Sequence, residues 1–318
     1  MITKNIQNAV DELKRDGLVS IPTETVYGLA ANAYNETTVK KIFELKNRPH
    51  YNPLIVHIKS ADYLQHIAKE IPDIALKLAT AFWPGPLTLV LKKQEHISDF
   101  ITAGKDTVAV RVPNHPLTLD LLNELDFPLA APSANPFGSI SPTNATHVHA
   151  YFGETLPVIL DGGECEKGIE STIIGFENNQ PILYRHGSIS IEEIEKMVGK
   201  INTITHNDQT PNAPGMLSRH YAPKTETYLT NNVAALATYF EGKKIGLLVF
   251  KNPMHHHNIH HQEILSKTGD CAEAAKNLYA AMHRLDEQNL DVIIAERLPD
   301  EGLGKTINDK LERATKKE

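Results

Sequence analysis

The stretch TVAVRVP (residues 107–113) alternates valines with small or polar side chains. Successive side chains of a β-strand point to opposite faces, so this pattern predicts a strand with three valines on one face. The opposite face then carries Thr107, Ala109 and Arg111. Arg111 is flanked by small side chains, which leaves room for an anion beside its guanidinium, and a structural salt bridge explains the same arginine equally well.

Strands of this kind alternate with helical stretches over the first 200 residues. Further strands are predicted at 18–22, 52–58, 86–93, 128–133, 157–163, 171–176 and 181–186. Helices are predicted at 35–46, 72–82, 115–125 and 190–199, and at the N-terminus, where Ile2, Ile6, Ala9 and Leu13 share one face before Gly17. The turn-forming sequence ENNQ joins the last two strands as a hairpin. Hairpins mixed with crossover connections predict an α/β fold with a twisted mixed sheet flanked by helices.

A polar segment with three prolines follows, INTITHNDQTPNAPGMLSRHYAPKTET (201–227). Its composition predicts a linker at 206–226 between a larger domain at 1–205 and a small domain at 227–318. Within the small domain, strands at 243–250 and 291–298 alternate with helices at 271–285 and 307–317. This alternation predicts a small, parallel, Rossmann-like α/β domain.

The chain has 318 residues, 41% of them hydrophobic and 22% charged, which is the composition of an ordinary globular protein with two domains. No apolar run approaches the roughly 20 residues that span a bilayer, and the first residues lack the apolar core of a secretory signal. With only Cys165 and Cys271, far apart in sequence, we expect free thiols in the reducing cytoplasm. A net charge of −7 argues against broad binding of nucleic acid but permits a local basic pocket.

Polar side chains follow several strand ends, where α/β proteins usually bind ligands. The threonines of Thr23-Glu24-Thr25 either cap the next turn or contact a ligand. Lys46 and Arg48 follow a helix whose dipole alone favours cations there. Pro49 and Pro53 nevertheless hold this segment as a loop, so it is a candidate phosphate-binding loop.

The strand PLIVHI carries His57, and a lone strand histidine is more often a hydrogen-bonded core residue than a ligand. In APSANPFGSISPTN, small residues allow a ligand to approach the backbone, and Ser133 and Asn135 offer hydroxyl and amide groups. Ser141-Pro142 predicts the N-cap and first turn of a helix, whose N-terminus is a candidate anion site.

Two other sequence motifs give only weak indications of a binding site. The sequence EGLGKT (301–306) resembles the end of a P-loop, but Pro299 stands where the first glycine is needed. The histidines at 255–257, 260 and 261 could hold a transition metal, yet they follow Asn252-Pro253 in what reads as a surface loop. We therefore predict no metal site.

Taken together, six blocks in chain order resemble the YrdC-type threonylcarbamoyl-AMP synthases. They are IPTETVYGLAANA, KNRPHYNPLIVHI, FWPGPLTLVL, VAVRVPNHP, PLAAPSANPFGSISPT and GIESTIIGF. The pairing of Lys46-x-Arg48 with Ser133-x-Asn135 matches the best-known signature of that family. APGMLSRHYAP (213–223) and GLGKTINDKLERA resemble its long, two-domain form.

The resemblance implies that L-threonine, bicarbonate and ATP react to give threonylcarbamoyl-AMP and pyrophosphate. It implies threonine contacts at Thr25, His57, Arg111, Ser171 and the backbone of Ala131. It implies ATP contacts at Lys46, Arg48, Asn52, Thr107, Ser133, Asn135, Ser141 and Arg185. Arg219, His220 and Tyr221 would belong to a linker that folds over the cleft as a lid.

Such chemistry needs alignment and charge neutralisation more than a strong base, so we assign no residue as nucleophile or as general acid or base. Magnesium is expected with the triphosphate, and the product is expected to pass to separate tRNA-modifying proteins. The alternative is an RNA-binding module with a basic concave cleft, which the acidic net charge and the lack of an aromatic platform disfavour. A third hypothesis makes the C-terminal unit an independent nucleotide-binding regulator.

Overall fold

The computed structural model describes residues 1–316. Lys317 and Glu318, which include the last residue of the predicted C-terminal helix, lie outside the described residues. Two sheets form within residues 1–316. The larger has eleven strands in the order β1-β8-β2-β3-β7-β4-β6-β5-β9-β10-β11. These strands are β1 (Ile2–Thr3), β2 (Val19–Ile21), β3 (Gly28–Asn32), β4 (Ile55–His57), β5 (Leu87–Lys92), β6 (Thr107–Arg111), β7 (Leu129–Ala130), β8 (Val158–Leu160), β9 (Thr172–Glu177), β10 (Gln180–Arg185) and β11 (Asn202–Thr203).

Besides two short 3-10 helices at Ala61–His66 and Gly153–Thr155, seven α-helices accompany this sheet in the described chain, and most of the predicted ones are among them. They are α1 (Ile6–Lys14), α2 (Glu36–Lys46), α3 (Asp73–Phe82), α4 (Asp99–Thr102), α5 (Pro116–Asn123), α6 (Ala145–Phe152) and α7 (Ile191–Val198). Strand β6 lies near the middle of the sheet, parallel to β4 and antiparallel to β5. The mixed α/β sheet predicted from the sequence is therefore confirmed.

The two faces of β6 differ as the alternation predicts. Val108 and Val110 pack into the main hydrophobic core, whereas Ala109 packs against a smaller cluster on the opposite face. The predicted hairpin is also present, because β9 and β10 pair antiparallel. Asn178 and Asn179 form its turn with φ angles of 49° and 62°, a left-handed conformation that asparagine tolerates better than most residues.

In the first unit, local structure differs from the sequence prediction at three places. Ile2 lies in β1, paired with β8, so helix α1 begins only at Ile6. Strand β3 is absent from the predicted set, because GLAAN has none of the β-branched or aromatic residues that signal a strand. Ser141 does not cap a helix: Asn144 is the N-cap of α6, and its side chain accepts a hydrogen bond from the His147 N–H.

The second sheet has four parallel strands in the order β12-β15-β13-β14, as the Rossmann-like prediction requires. They are β12 (Thr227–Thr230), β13 (Ile245–Val249), β14 (Ile259–Ile264) and β15 (Val292–Glu296). The accompanying helices are α8 (Val233–Tyr239), α9 (Cys271–Asp286) and α10 (Leu303–Ala314). Two of the clustered histidines, His260 and His261, thus belong to β14 rather than to a loop. None of the helices in residues 1–316 is both long and apolar enough to cross a membrane.

The segment between β11 and β12 lies against both units. Ala213 and Met216 are fully buried beside Ile55 of β4 and Ile173 of β9. A separate apolar cluster joins Tyr221 of this segment with residues of α9 and α10, and it also includes Val26, Ile140 and Ile169 of the first unit. The linker is therefore an integral layer of the packing between the two units.

Candidate functional site

A cavity lies beside the central strands and under the linker. It is lined by Thr23, Thr25, Val26, Tyr27, Gly28, Arg48, Ile55, His57, Arg111, Ala131, Pro132, Ser133, Glu170, Ser171, Arg185, Pro214, Gly215, His220 and Tyr221. All five residues predicted to contact threonine are in this lining, as are three of those predicted to contact ATP and two of the three predicted linker residues. The residues come from the loops that follow β2, α2 and β7, from the strands β3, β4, β6 and β10, from the loop before β9, and from the linker.

Arg111 enters the cavity wall from the end of β6 and contacts three neighbouring groups. Its Nη2 lies 2.7 Å from Glu24 Oε1, and both side chains are less than 5% exposed. Nη1 donates to Thr25 Oγ1 at 2.9 Å and Nε to the carbonyl of Gly85 at 3.1 Å. The buried salt bridge, one of the two alternatives left open for Arg111, is thus present, and the guanidinium still faces the cavity.

Ser171 and Arg185 form a second polar group on the adjoining strands. Arg185 donates to the Ser171 carbonyl from Nε at 3.0 Å and from Nη2 at 2.9 Å, and Nη2 also reaches Ser171 Oγ. Ser171 Oγ lies 2.8 Å from Thr88 Oγ1. Arg185 further donates to the carbonyl of Pro214 in the linker at 3.2 Å, which ties the linker to the wall.

Lys46 lies behind the cavity wall: its side chain is buried and does not line the cavity. Its Nζ donates to the carbonyl of Ser133 at 2.6 Å and to that of Asn135. The Asn135 amide in turn donates to the carbonyls of Pro136 at 2.8 Å and Ser139 at 3.0 Å. Burial, with a smaller effect of the nearby Arg48 charge, lowers the pKa of Lys46. Hydrogen bonds from the Lys46 ammonium to two backbone carbonyls therefore hold the Lys-x-Arg and Ser-x-Asn segments together.

Arg48 does face the cavity, where its Nη2 donates to the Pro53 carbonyl at 2.7 Å. Burial and the Arg185 charge lower its pKa to about 9, so it remains a cation at neutral pH. Asn52 is completely buried nearby, and neither polar atom of its side chain has a hydrogen-bond partner among the described residues. Buried amides are normally satisfied, so Asn52 has hydrogen-bonding capacity to offer a ligand.

His57 lies at the end of β4 beside Arg111. Burial, with a smaller effect of the Arg111 charge, lowers the pKa of His57 to about 3. A neutral imidazole at physiological pH binds substrate by hydrogen bonding and is a weak proton acceptor. Its Nδ1 has no partner within residues 1–316.

The linker covers the cavity through Pro214, Gly215, His220 and Tyr221. Gly215 has a φ of +81°, and a Cβ there would lie 2.9 Å from Arg185 Cδ, so the close approach requires glycine. Burial and neighbouring cations, Arg48 first among them, lower the pKa of His220. Arg219 is the exception among the three predicted linker residues, because it is exposed and donates from Nε to the Lys316 carbonyl at 3.1 Å.

Several residues predicted to contact ATP lie elsewhere in this structure. Asn52, Asn135 and Ser141 are buried behind the cavity wall, like Lys46. Thr107 lines a separate open groove with Tyr184 and Asn212, on the side where β5, β6 and the β9–β10 hairpin meet. Their roles as ATP contacts stay predictions.

The sequence did not single out Glu170, the one carboxylate among the described residues of the cavity lining. Its Oε1 accepts a hydrogen bond from Ser141 Oγ at 2.6 Å, and its Oε2 accepts one from the Tyr279 hydroxyl at 2.8 Å. A glutamate just before a strand gives no local signal for such long-range contacts. In residues 1–316 no three His, Cys, Asp or Glu side chains converge to hold a metal ion, the clustered histidines of 255–261 included.

The fold and the cavity together define a two-unit α/β protein with an arginine-rich, linker-covered cavity. Residues 11–187 match the Sua5/YciO/YrdC family model, described as telomere recombination, and residues 189–315 match the model of the threonylcarbamoyl-AMP synthase C-terminal domain. The chain belongs to the threonylcarbamoyl-AMP synthase family.

Full-length relatives support this placement. The chain is 42% identical to threonylcarbamoyl-AMP synthase of Pyrococcus abyssi, with 98% of this chain and 96% of the relative covered. It is 38% identical to the Bacillus subtilis protein of the same name, with 97% of this chain and 92% of the relative covered. The crystal structure of P. abyssi Sua5 complexed with L-threonine superposes with a TM-score of 0.91 at 42% identity, covering 98% of this chain and 94% of that one.

Proposed function

We propose that this chain is an L-threonylcarbamoyladenylate synthase, which forms threonylcarbamoyl-AMP and pyrophosphate from L-threonine, bicarbonate and ATP. The observation that carries the proposal is the single cavity that gathers all five predicted threonine contacts and three arginines. It occurs in a chain 42% identical over 98% of its length to a protein of that name.

In the proposed reaction the threonine amine, once it has lost a proton, attacks the carbon of bicarbonate, and water leaves as the carbamate forms. A carbamate oxygen then attacks the α-phosphorus of ATP, and pyrophosphate departs with the electrons of the broken P–O bond. Both steps bring anions together, so holding and neutralising them contributes more than a strong base. Arg48, Arg111 and Arg185 supply the positive charge in the cavity lining.

Threonine would lie near Arg111, with its carboxylate beside the guanidinium. Thr25 and Ser171 are positioned for it by their bonds to Arg111 and Arg185. A neutral His57 would hydrogen-bond the substrate rather than exchange protons with it. The linker over the cavity would keep water from the mixed anhydride of the product.

ATP would lie near Arg48 and Ser133, with the enzyme acting as a nucleotidyltransferase. Magnesium would accompany the triphosphate and neutralise part of its charge. The described cavity wall offers one carboxylate, Glu170, so the protein itself provides no cage for the ion, and no step depends on such a site. The product would then pass to separate proteins that modify an adenosine of tRNA.

The test is a reaction with ATP, L-threonine and labelled bicarbonate. We expect threonine-dependent release of pyrophosphate and a labelled adenylate in equal amounts. Arg48→Ala should reduce turnover by at least about a hundredfold, whereas Lys40→Ala, at a half-exposed position on α2 outside the cavity lining, should not change it. Pyrophosphate release that does not depend on threonine, or no labelled product, would exclude the proposed activity.

A further inference from the structure

The carboxylate of Glu170 connects the two units of the chain at the cavity wall. It accepts one hydrogen bond from Ser141 of the first unit, at 2.6 Å, and one from Tyr279 on α9 of the second, at 2.8 Å. All three side chains are buried: Ser141 and Tyr279 are 0% exposed and Glu170 is 5% exposed. Both donors are neutral hydroxyls, so each has its single proton committed to this carboxylate.

The approach of α9 to this wall is tightly fixed. Gly168, two residues before Glu170, has a φ of +69°, and a Cβ there would lie 2.1 Å from the Lys276 carbonyl oxygen of α9. Only glycine permits so close an approach of the two backbones. The Tyr279 ring also stacks on Tyr221 of the linker, with centroids 5.5 Å apart. The Tyr279 hydroxyl is therefore held at a defined position relative to the cavity.

The two side-chain hydrogen bonds of the bridge join Glu170 to a predicted ATP contact and to the second unit, and neither of them joins a predicted threonine contact, although Glu170 directly precedes Ser171 in the chain. Ser141, at its far end, is a predicted ATP contact, and Glu170 itself faces the cavity. The predicted threonine contacts are held by bonds within the first unit, from Arg111 to Thr25 and from Arg185 to Ser171. Loss of the Tyr279 hydroxyl should therefore affect the nucleotide selectively.

We propose that Tyr279 of the C-terminal unit is a positioning residue for ATP, which acts through Glu170 to fix Ser141 and the adjoining wall of the nucleotide site. This inference rests on the proposed function, because Ser141 is a predicted contact of the ATP that the reaction consumes. It also gives the C-terminal unit a direct part in the active site of the first unit.

Binding and kinetics test the bridge separately. With α,β-methylene-ATP as the probe, calorimetry should show affinity about three- to tenfold weaker for Tyr279→Phe than for the natural chain, the effect of one lost buried hydrogen bond. The KM for ATP should rise by a similar factor, while the KM for threonine stays unchanged. Tyr228→Phe, which removes a surface hydrogen bond to Glu226 in the same unit, is the matched control and should leave both constants unchanged.

A double-mutant cycle decides whether Tyr279 acts through Ser141. In a Ser141→Ala background, Tyr279→Phe should weaken binding of the analogue no further. Additive losses, or equal losses for ATP and threonine, would overturn the proposal and leave Tyr279 with a purely structural role. Because analogue binding needs no turnover, a natural chain that binds the analogue but makes no adenylate would contradict the proposed function alone.

Discussion

Arg111 Nη2 lies 2.7 Å from Glu24 Oε1 in a buried ion pair at the wall of the cavity. The same guanidinium holds Thr25 and the carbonyl of Gly85. Arg111 thus neutralises Glu24, and in the proposed reaction it would also present positive charge to the threonine carboxylate. A variant that removes it disturbs stability as well as binding.

Arg111→Ala should lower the free energy of unfolding by about 3–5 kcal/mol, because it leaves the Glu24 carboxylate buried without its partner. Urea unfolding at neutral pH measures this loss. The double variant Arg111→Ala with Glu24→Gln should recover a large part of the stability while turnover remains abolished. Equal stability of the single and double variants would show that the pair contributes little to the fold.

Lys46 is expected to act on ATP indirectly, through the loop that carries Ser133. Lys46→Met keeps most of the buried volume but removes the hydrogen bonds to the Ser133 and Asn135 carbonyls. Hydrogen bonds to charged groups contribute about 1.5–3 kcal/mol each, so the loop should loosen and the KM for ATP should rise at least tenfold. Lys40→Met, on the exposed side of the same helix, is the control for steady-state kinetics. An unchanged KM for ATP would contradict this role.

The sequence predicted most of the larger sheet and part of the cavity lining, whereas Lys46, Asn52, Thr107, Asn135 and Ser141 lie outside that lining. Periodic apolar residues carried the strands, and β6 shows the alternation of Val108, Ala109 and Val110 directly. Strand β3 was missed, because its small residues carry no strand signal and its place is set by pairing with β2 and β7. A local sequence pattern reflects the preference of a segment for helix or strand. It does not show which distant strands that segment pairs with.

Ser141 shows the same limit at the site. The Ser-Pro pair is a good helix start in isolation, but the Ser141 hydroxyl donates to Glu170, 29 residues away, and Asn144 caps the helix. Glu170 is in turn held by Tyr279, 109 residues further on. Contacts of this separation depend on how the two units dock, so one sequence could not identify them.

Acid should weaken the contact between the units through a pair of stacked histidines. His147 of α6 and His283 of α9 have ring centroids 3.9 Å apart. Burial is the main cause that lowers the pKa of His147 to about 3 and that of His283 to about 4. The Nε2 atom of His283 also forms a hydrogen bond with the Ser141 carbonyl. Thr143, Asn144, Tyr151 and Arg284 also face the pair.

Both folded pKa values lie below the unfolded value near 6.5, so the folded state binds fewer protons. The contribution of the pair to stability should be complete above pH 6.5, should fall progressively as the pH decreases from 6.5 towards 4, and should level off only below about pH 3. Urea unfolding between pH 7 and 4 measures this slope, which should be shallower for His283→Gln. Replacement of the exposed His261 by Gln should leave the slope unchanged. Identical slopes for all three chains would show that other groups cause the acid sensitivity.

Arg313 on α10 should keep the linker closed over the cavity. Its Nη1 donates to the Leu217 carbonyl at 2.6 Å and its Nη2 to the Thr205 carbonyl at 2.9 Å. Nε donates to Asp309 Oδ1 at 3.0 Å, and the Arg313 carbonyl accepts the His220 N–H at 3.3 Å. Lysine keeps the charge beside Asp309 but replaces three spaced donor nitrogens by one, so it cannot reproduce all three of these side-chain hydrogen bonds.

Arg313→Lys should therefore leave the fold intact while the amides of 206–220 exchange hydrogen about tenfold faster or more, because local opening of the linker costs less free energy. Turnover should fall, since an open linker admits water to the mixed anhydride. Hydrogen exchange measured by mass spectrometry reports the opening of the linker directly. Arg284→Lys, at an exposed arginine of the same unit, is the control. If turnover falls while linker exchange stays at the natural rate, Arg313 affects the reaction by a route other than closure.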